Sequence, residues 1–134
     1  MNTALFVRLL GDIRDHLTLC DLGTEIASIQ ASTRYGDGES ITVHLRRTDL
    51  PALAAGLLAW ADTLTRVSVT LWRVPDGASV HLTVHGLLAN ELPVAVYGGV
   101  RFDPDTFGTD LEPGGQHRVA LGVLRGWTTP EVAA

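Results

Sequence analysis

The sequence contains no lysine and a single cysteine, Cys20. One cysteine excludes an internal disulfide and a cysteine-rich zinc site. All ten basic residues are therefore arginines, and with abundant alanine, glycine, leucine and valine they are typical of a GC-rich bacterial source. Hydrophobic residues make up 46% of the 134 residues and charged residues 19%, which predicts one folded domain over residues 1–134.

Positive charge is scarce as well. The formal net charge is −5, whereas nucleic acid is bound mainly through basic patches that neutralise phosphates. A nucleic-acid-associated protein that uses a local patch of Arg46, Arg47, Arg66 and Arg73 is therefore a disfavoured alternative.

Several signatures of known chemistry are missing from the sequence. It has no glycine-rich nucleotide-binding fingerprint, no nucleophile elbow and no HExxH metal helix. This absence counts modestly against an enzyme and against a bound cofactor. The N-terminal residues 1–16 are interrupted by charged residues, so they lack the continuous apolar run of a signal peptide or a membrane span. We therefore expect a cytoplasmic protein that does not associate with membranes.

The periodicity of apolar residues predicts two helices and five strands. Apolar residues recur at helical spacing over residues 2–19 and 49–65, and they alternate with polar residues over residues 25–35, 40–47, 66–74, 79–87 and 93–100. With a terminal helix, the order becomes α-β-β-α-β-β-β-α. The predicted class is α+β, with an antiparallel sheet of about five strands and helices packed on one face.

The C-terminal third is harder to assign. Residues 101–115 are rich in proline and glycine and predict a loop. Residues 116–127 fit a helix through Val119, Val123 and Trp127 or a strand through Val119, Leu121 and Val123, and we favour the helix. Residues 128–134 are predicted to be a frayed tail.

The polar face of the predicted sheet collects residues that suit recognition. Histidine, arginine and aromatic residues alternate with the core positions there, and the binding candidates are Trp72, His44, Arg46, His81, His85 and Tyr97. An exposed tryptophan near arginine and tyrosine is typical of interface centres. An ordinary solvated sheet face remains the alternative.

Metal binding at these histidines is disfavoured. His81 and His85 are four residues apart on one strand, so their Cα atoms lie roughly 13 Å from each other. That separation is too large for two ligands of a single ion. The Asp103–Gly108 segment fits only part of a calcium loop, because Phe107 and Gly114 occupy two ligand positions. We therefore predict no metal site and no catalytic residue.

The second predicted helix carries small residues on the side opposite its leucines. Asp49 is its expected N-cap and Pro51 lies in its first turn, where the missing N–H is harmless. The small residues are Ala52, Ala55, Gly56 and Ala59, which we call the alanine face. A solvated helix face normally carries charged residues, so we expect the alanine face to be covered, by the first helix or by a second copy of the chain.

Three functional hypotheses follow from these patterns. The preferred one is a non-enzymatic, homodimeric protein-interaction module that binds a protein partner through the sheet face or the alanine face. The second is a small-molecule-binding protein or enzyme that uses the histidines, Arg46 and Trp72. The third is the nucleic-acid-associated protein described above.

Overall fold

A computed structural model of the chain describes residues 3–22, 26–34, 38–46 and 49–128. Its four helices are α1 (Thr3–Cys20), α2 (Leu50–Ala61), α3 (Pro104–Phe107) and α4 (Leu121–Trp127). Its six strands are β1 (Ile26–Arg34), β2 (Gly38–Leu45), β3 (Thr65–Arg73), β4 (Ser79–Leu87), β5 (Pro93–Arg101) and β6 (Gln116–Val119). The prediction of an α+β chain is confirmed. The predicted tail lies outside the described residues apart from Thr128.

The six strands form one mixed sheet in the order β1-β2-β5-β4-β3-β6. Strands β2 and β5 are parallel neighbours, while the other pairs are antiparallel. The prediction of five strands in a purely antiparallel sheet was therefore wrong. Helix α2 returns the chain to the end where β2 began, so β3 and β5 run in the direction of β2. Apolar alternation is the same beside a parallel and an antiparallel neighbour, so it does not encode this pairing.

The segment 116–127 is a strand followed by a helix. Gln116–Val119 pairs antiparallel with β3, and helix α4 begins only at Leu121. The preference for a helix over the whole segment was thus wrong for its first five residues, the four of β6 and Ala120, which has an extended backbone. The open edge of β3 supplies backbone partners for the residues of β6, and a local pattern contains no information about such an edge.

Helix α2 packs its leucines against the sheet as its spacing predicts. The Asp49 carboxylate accepts a hydrogen bond of 2.9 Å from the backbone N–H of Ala52, which confirms the predicted N-cap. Leu53 sits directly on Gly98 of β5, where a Cβ atom would clash with the leucine side chain. Trp60 is 1% exposed and lies fully inside the core.

The core lies between the helices and one face of the sheet. It includes Leu9 and Ile13 of α1, Leu124 of α4 and Leu111 of the loop before β6. The buried strand residues alternate with residues that are half-buried or exposed. The opposite face of the sheet is therefore not covered by any helix in the described part of the chain, and we call it the open face.

Candidate binding site on the open face of the sheet

The open face is built from alternate residues of all six strands. Its long or polar side chains include His44 of β2, Tyr97 and Arg101 of β5, His81 and His85 of β4, Thr70 and Trp72 of β3, and Gln116 and Arg118 of β6. Between them lie small residues such as Ser32, Ser40, Ala95 and Gly99. Small and large residues therefore alternate on one surface, so the surface has ridges and depressions.

Four of the predicted residues form a continuous row of rings across four neighbouring strands. The Trp72 ring meets the His81 ring edge-on at 5.3 Å between centroids. His81 stacks on Tyr97 at 5.6 Å, and Tyr97 stacks on His44 at 4.6 Å with an interplanar angle of 5°. We call this set the ring row. The strand spacing of about 4.8 Å sets these separations, because neighbouring strands place rings side by side.

The rings of the ring row are partly buried. Tyr97 has a ring stacked on each side, whereas Trp72 at the end of the row is 36% exposed. Gly99 is opposite His81, and a Cβ atom there would lie 3.3 Å from the imidazole Cδ2. Glycine at this position therefore lets the His81 ring lie low on the sheet.

Depressions lie on both sides of Tyr97. The smaller one, of about 290 Å³, is lined by His44, His81, Tyr97 and Gly99 together with Ser79 and Val100. The larger one, of about 530 Å³, lies beyond Ala95 and is bordered by Arg66 and His85. We call the larger one the Arg66 cavity. Its volume falls within the range of about 300–1,000 Å³ that is usual for small-molecule sites.

Arg66 has an unusual backbone conformation. Its φ angle is 52°, in the left-handed region that non-glycine residues rarely adopt. The pairing of β3 with β4 is shifted between Thr65 and Ser68, so Arg66 lies in a β-bulge opposite Gly86. Bulges of this kind re-aim side chains and often occur beside functional sites.

The open face carries positive charge without local counter-charge. Arg66, Arg101 and Arg118 lie on its strands, and Arg46 follows β2 directly. Among the described residues, none of these four arginine side chains has a hydrogen bond or an ion pair. The ion pair found there joins Arg14 and Asp15 on α1. Within the described strands the one acidic residue is Glu39, which alternates with the open-face residues.

Burial, together with neighbouring groups, favours the neutral imidazole at His81 and His85. Burial and the neighbouring His44 lower the pKa of His81. Partial burial and the nearby Arg118 lower the pKa of His85, whose Nε2 lies 3.2 Å from the Thr70 hydroxyl. An anion that approached either imidazole would raise its pKa and so favour its protonated form.

The structure separates the six predicted binding residues into three groups. Trp72, His81, Tyr97 and His44 form the ring row, His85 borders the Arg66 cavity, and Arg46 lines neither depression. Alternation along each strand placed the first five on one face. The special position of Arg66 was missed, because no residue pattern near it signals a bulge.

Arg73 does not belong to the proposed nucleic-acid patch. Its guanidinium donates hydrogen bonds of 3.0 Å to the carbonyl oxygens of Gly77 and Leu111, and it lies 3.5 Å from the centre of the Phe102 ring. The Arg73 side chain is thus hydrogen-bonded on the helix side of the sheet and does not point to the open face. Arg47 lies outside the described residues.

The alanine face of α2 is largely open in the monomer. Ala52, Ala55 and Ala59 are exposed, while Gly56 approaches the Leu45 side chain. Helix α1 does not cover these alanines, so the expectation that the first helix covers the alanine face was wrong. Coverage by a second copy of the chain stays a prediction. A further exposed apolar patch on α1 comprises Phe6, Val7 and Leu10, with Val7 64% exposed.

Two further polar side chains, His16 and Asp103, have structural partners. His16 stacks on Trp60, and its Nε2 lies 2.9 Å from the Thr63 hydroxyl, which itself donates to the Trp60 carbonyl. His16 is therefore held by α2. Asp103 caps α3 by accepting hydrogen bonds from the Asp105 backbone and the Thr106 hydroxyl. Among the described residues, no group of three or more potential ligands is placed to hold a metal ion.

Comparison with protein-family models, with curated proteins and with solved structures finds no match to this chain. In the part of the chain that the structure describes, no helix is both long and apolar enough to cross a bilayer.

Proposed function

We propose that this chain is a cytoplasmic, non-enzymatic interaction module that binds an acidic, extended protein segment on the open face and forms a homodimer through its helices. The observation that carries the first part is the ring row on a sheet face that no described helix covers. Aromatic residues and arginine are the residues that contribute most to protein recognition.

The dimensions of the ring row suit a short stretch of extended chain. Four neighbouring strands at about 4.8 Å spacing place the outer rings, His44 and Trp72, roughly 14 Å apart. An extended segment of about four or five residues spans that distance. Tyr97 between its two depressions offers such a segment a ridge with a side-chain pocket on either side.

The charges favour an acidic partner over a second copy of the same face. Two open faces packed on each other would bring unpaired arginines together, and like charges in an interface are costly. An acidic segment would instead supply the carboxylates that Arg66, Arg101 and Arg118 lack. Self-association is therefore assigned to the other side of the molecule.

Single-stranded nucleic acid is the less favoured anionic partner. Such strands bind through aromatic rings that offer a free face to each base. Here Tyr97 is stacked by a ring on each side and His81 contacts both Tyr97 and Trp72. The net charge of −5 also repels a long polyanion more strongly than a short acidic segment, which carries fewer charges.

A small-molecule-binding role is the second candidate. The observation that favours it is the Arg66 cavity, whose volume is about 530 Å³ and whose lining mixes hydroxyl, cationic and apolar groups. This role would use the same open face, with His85 and Arg66 in contact with the ligand.

The partner class is tested by selecting peptides from a random displayed library. The wild-type chain serves as bait, and binders to a Trp72→Ala/Tyr97→Ala double variant are removed by counter-selection. We expect enrichment of sequences rich in aspartate and glutamate, because the open-face arginines have no counter-charge. Thermal unfolding of the double variant verifies that the bait still folds.

Two results would contradict this proposal. One is the absence of any sequence that prefers the wild-type chain. The other is tighter binding of an oligothymidylate than of the selected acidic peptides, with a steep dependence on salt, which would assign the face to nucleic acid.

The homodimer is tested by Ala55→Arg. An arginine in the centre of the alanine face would place a charge in an interface between two α2 helices, so we expect the wild-type dimer to become a monomer. Light scattering at several concentrations measures the mass. Asp62→Arg, at the exposed C-terminal end of the same helix, is the control and should remain dimeric. A monomeric wild-type chain would refute this part of the proposal.

A further inference from the structure

The Arg66 cavity combines one permanent cation, one histidine and a ring of small groups. Arg66 and His85 stand beside the hydroxyls of Ser32, Ser40 and Thr42. The apolar part of the lining includes Leu87, Pro93 and Ala95, and no acidic residue lines the cavity in the part of the chain that the structure describes. The cavity is therefore electropositive, rich in hydrogen-bond donors and accessible from the open face.

We infer that the Arg66 cavity is a carboxylate-binding subsite, in which the Arg66 guanidinium pairs with the carboxylate and the His85 imidazole acts as a second donor. This inference rests on the proposed function in one respect: the carboxylate would be an aspartate or glutamate side chain of the bound segment. The site itself is defined by the cavity and its lining.

The backbone of Arg66 is the first argument. Residues other than glycine at positive φ are strained, and such strain persists at binding and switch sites where it serves a purpose. Glycine would adopt this conformation without cost. An arginine is found there instead, its guanidinium has no partner among the described residues, and its side chain lines the cavity. A requirement for a guanidinium in the cavity explains why an arginine occupies this strained position and why its side chain has no partner there.

The charge of the lining is the second argument. A guanidinium and a carboxylate form two parallel hydrogen bonds in one plane, and one permanent cation balances one carboxylate. A phosphate dianion would need a second cation. His85 supplies that charge poorly, because partial burial and Arg118 lower its pKa. The cavity is thus matched to a monoanion.

The Thr70 hydroxyl positions the second donor. It lies 3.2 Å from Nε2 of His85, and Nδ1 has no hydrogen-bond partner among the described residues. When the hydroxyl donates to Nε2, the ring proton resides on Nδ1, which is then available to a ligand. His85 can therefore donate to a carboxylate in the neutral as well as the protonated form.

Anion binding in this cavity must be linked to protonation of His85. The charged groups near His85 are Arg66 on the neighbouring strand β3 and Arg118 on β6, one strand further away, while its β5 neighbour, Ala95, is uncharged. A bound carboxylate opposes both cations and raises the pKa of His85. The affinity should therefore increase as the pH falls from above the pKa of the complex towards the lower pKa of the free protein.

The test uses the full chain with labelled histidines and sodium glutarate as the probe. The ring signal of His85 is followed by NMR and is identified by its loss in a His85→Gln variant. We expect a saturable shift at His85 that is absent at His16, and a raised pKa of His85 at saturation. Arg66→Ala should weaken glutarate binding about ten-fold or more, since a charge-assisted pair is lost. Arg8→Ala, which removes an exposed arginine of helix α1 that does not line the cavity, should change it less than about two-fold.

Arg66→Gly separates binding from folding. It should lose glutarate binding as Arg66→Ala does, yet raise the urea concentration at the midpoint of unfolding, because glycine relieves the strain. A lowered midpoint would show that the guanidinium supports the fold and would overturn the inference. So would unchanged glutarate binding in Arg66→Ala, or tighter binding of inorganic phosphate than of glutarate at equal ionic strength.

The subsite and the proposed function fail in different ways. If glutarate binds as described and no acidic peptide is selected, the subsite stands and the protein-segment proposal falls. If selected acidic peptides bind Arg66→Ala as tightly as the wild-type chain, the open face is an interaction surface and the subsite is refuted.

Discussion

Replacing Trp60 with alanine is expected to lower the free energy of unfolding by about 3–5 kcal/mol. Trp60 is 1% exposed and lies among the core side chains of α2 and the sheet. It also supports His16, whose ring stacks on the indole at 5.7 Å. Alanine would leave a large cavity that the surrounding strands cannot close, because their spacing is set by backbone hydrogen bonds.

Trp72→Ala is the matched control for this experiment. Trp72 has the same side chain but is 36% exposed at the end of the ring row. We expect its loss to cost about 1 kcal/mol or less, chiefly from its edge contact with His81. Urea unfolding followed by circular dichroism measures both variants. Equal destabilisation by the two substitutions would mean that the ring row belongs to the folding core and would weaken its assignment as a binding surface.

Arg73→Ala is expected to destabilise the fold by about 2–4 kcal/mol. The guanidinium joins three separate segments, because it bonds to the Gly77 turn and to Leu111 and covers the Phe102 ring. Hydrogen bonds from a charged group are worth about 1.5–3 kcal/mol when partly shielded from water, and a cation over a ring adds about 0.5–1 kcal/mol. The two carbonyls would also lose their donor.

Hydrogen exchange locates the effect of Arg73→Ala. Protection should fall first for residues 110–119, because this segment is joined to Arg73 twice. The Arg73 guanidinium bonds to the Leu111 carbonyl, and the Arg73 backbone exchanges hydrogen bonds with Gly114 and Gly115. Arg73→Lys is expected to recover less than half of the lost stability, because an ammonium lacks the planar fork that reaches both carbonyls. Arg101→Ala is the control, with an expected change within about 0.5 kcal/mol. Uniform protection in Arg73→Ala would contradict the anchoring role.

Residues of the same type have different roles on the two faces of the sheet. Trp60 and Arg73 lie on the helix side, where Trp60 is buried and Arg73 is hydrogen-bonded, so both stabilise the fold. Trp72 and Arg66 lie on the open side, where their side chains have few or no partners. Substitutions on the open side can therefore change binding without unfolding the chain, which makes the proposed function separable from stability in experiments.

The alternation of residues along each strand was sufficient to assign them to the two faces. Val43 and His44 differ in face because successive side chains in a strand point in opposite directions, and this depends only on backbone geometry. The N-cap at Asp49 was likewise predictable, since it depends on a side chain and a backbone N–H three residues away. These features are local, so the sequence by itself determined them.

The neighbours of each strand were decided by the tertiary structure. Strand β5 lies beside β2, and this pairing brings His44 and Tyr97 into contact although they are far apart in sequence. Backbone hydrogen bonds join any two strands alike, so pairing depends on how α2 packs over the sheet. The same reason explains why β6 was predicted as helix. The left-handed conformation of Arg66 arises from the register between β3 and β4, and no single segment contains that register. The sequence thus determined which residues face outward together, and the fold decided which of them touch.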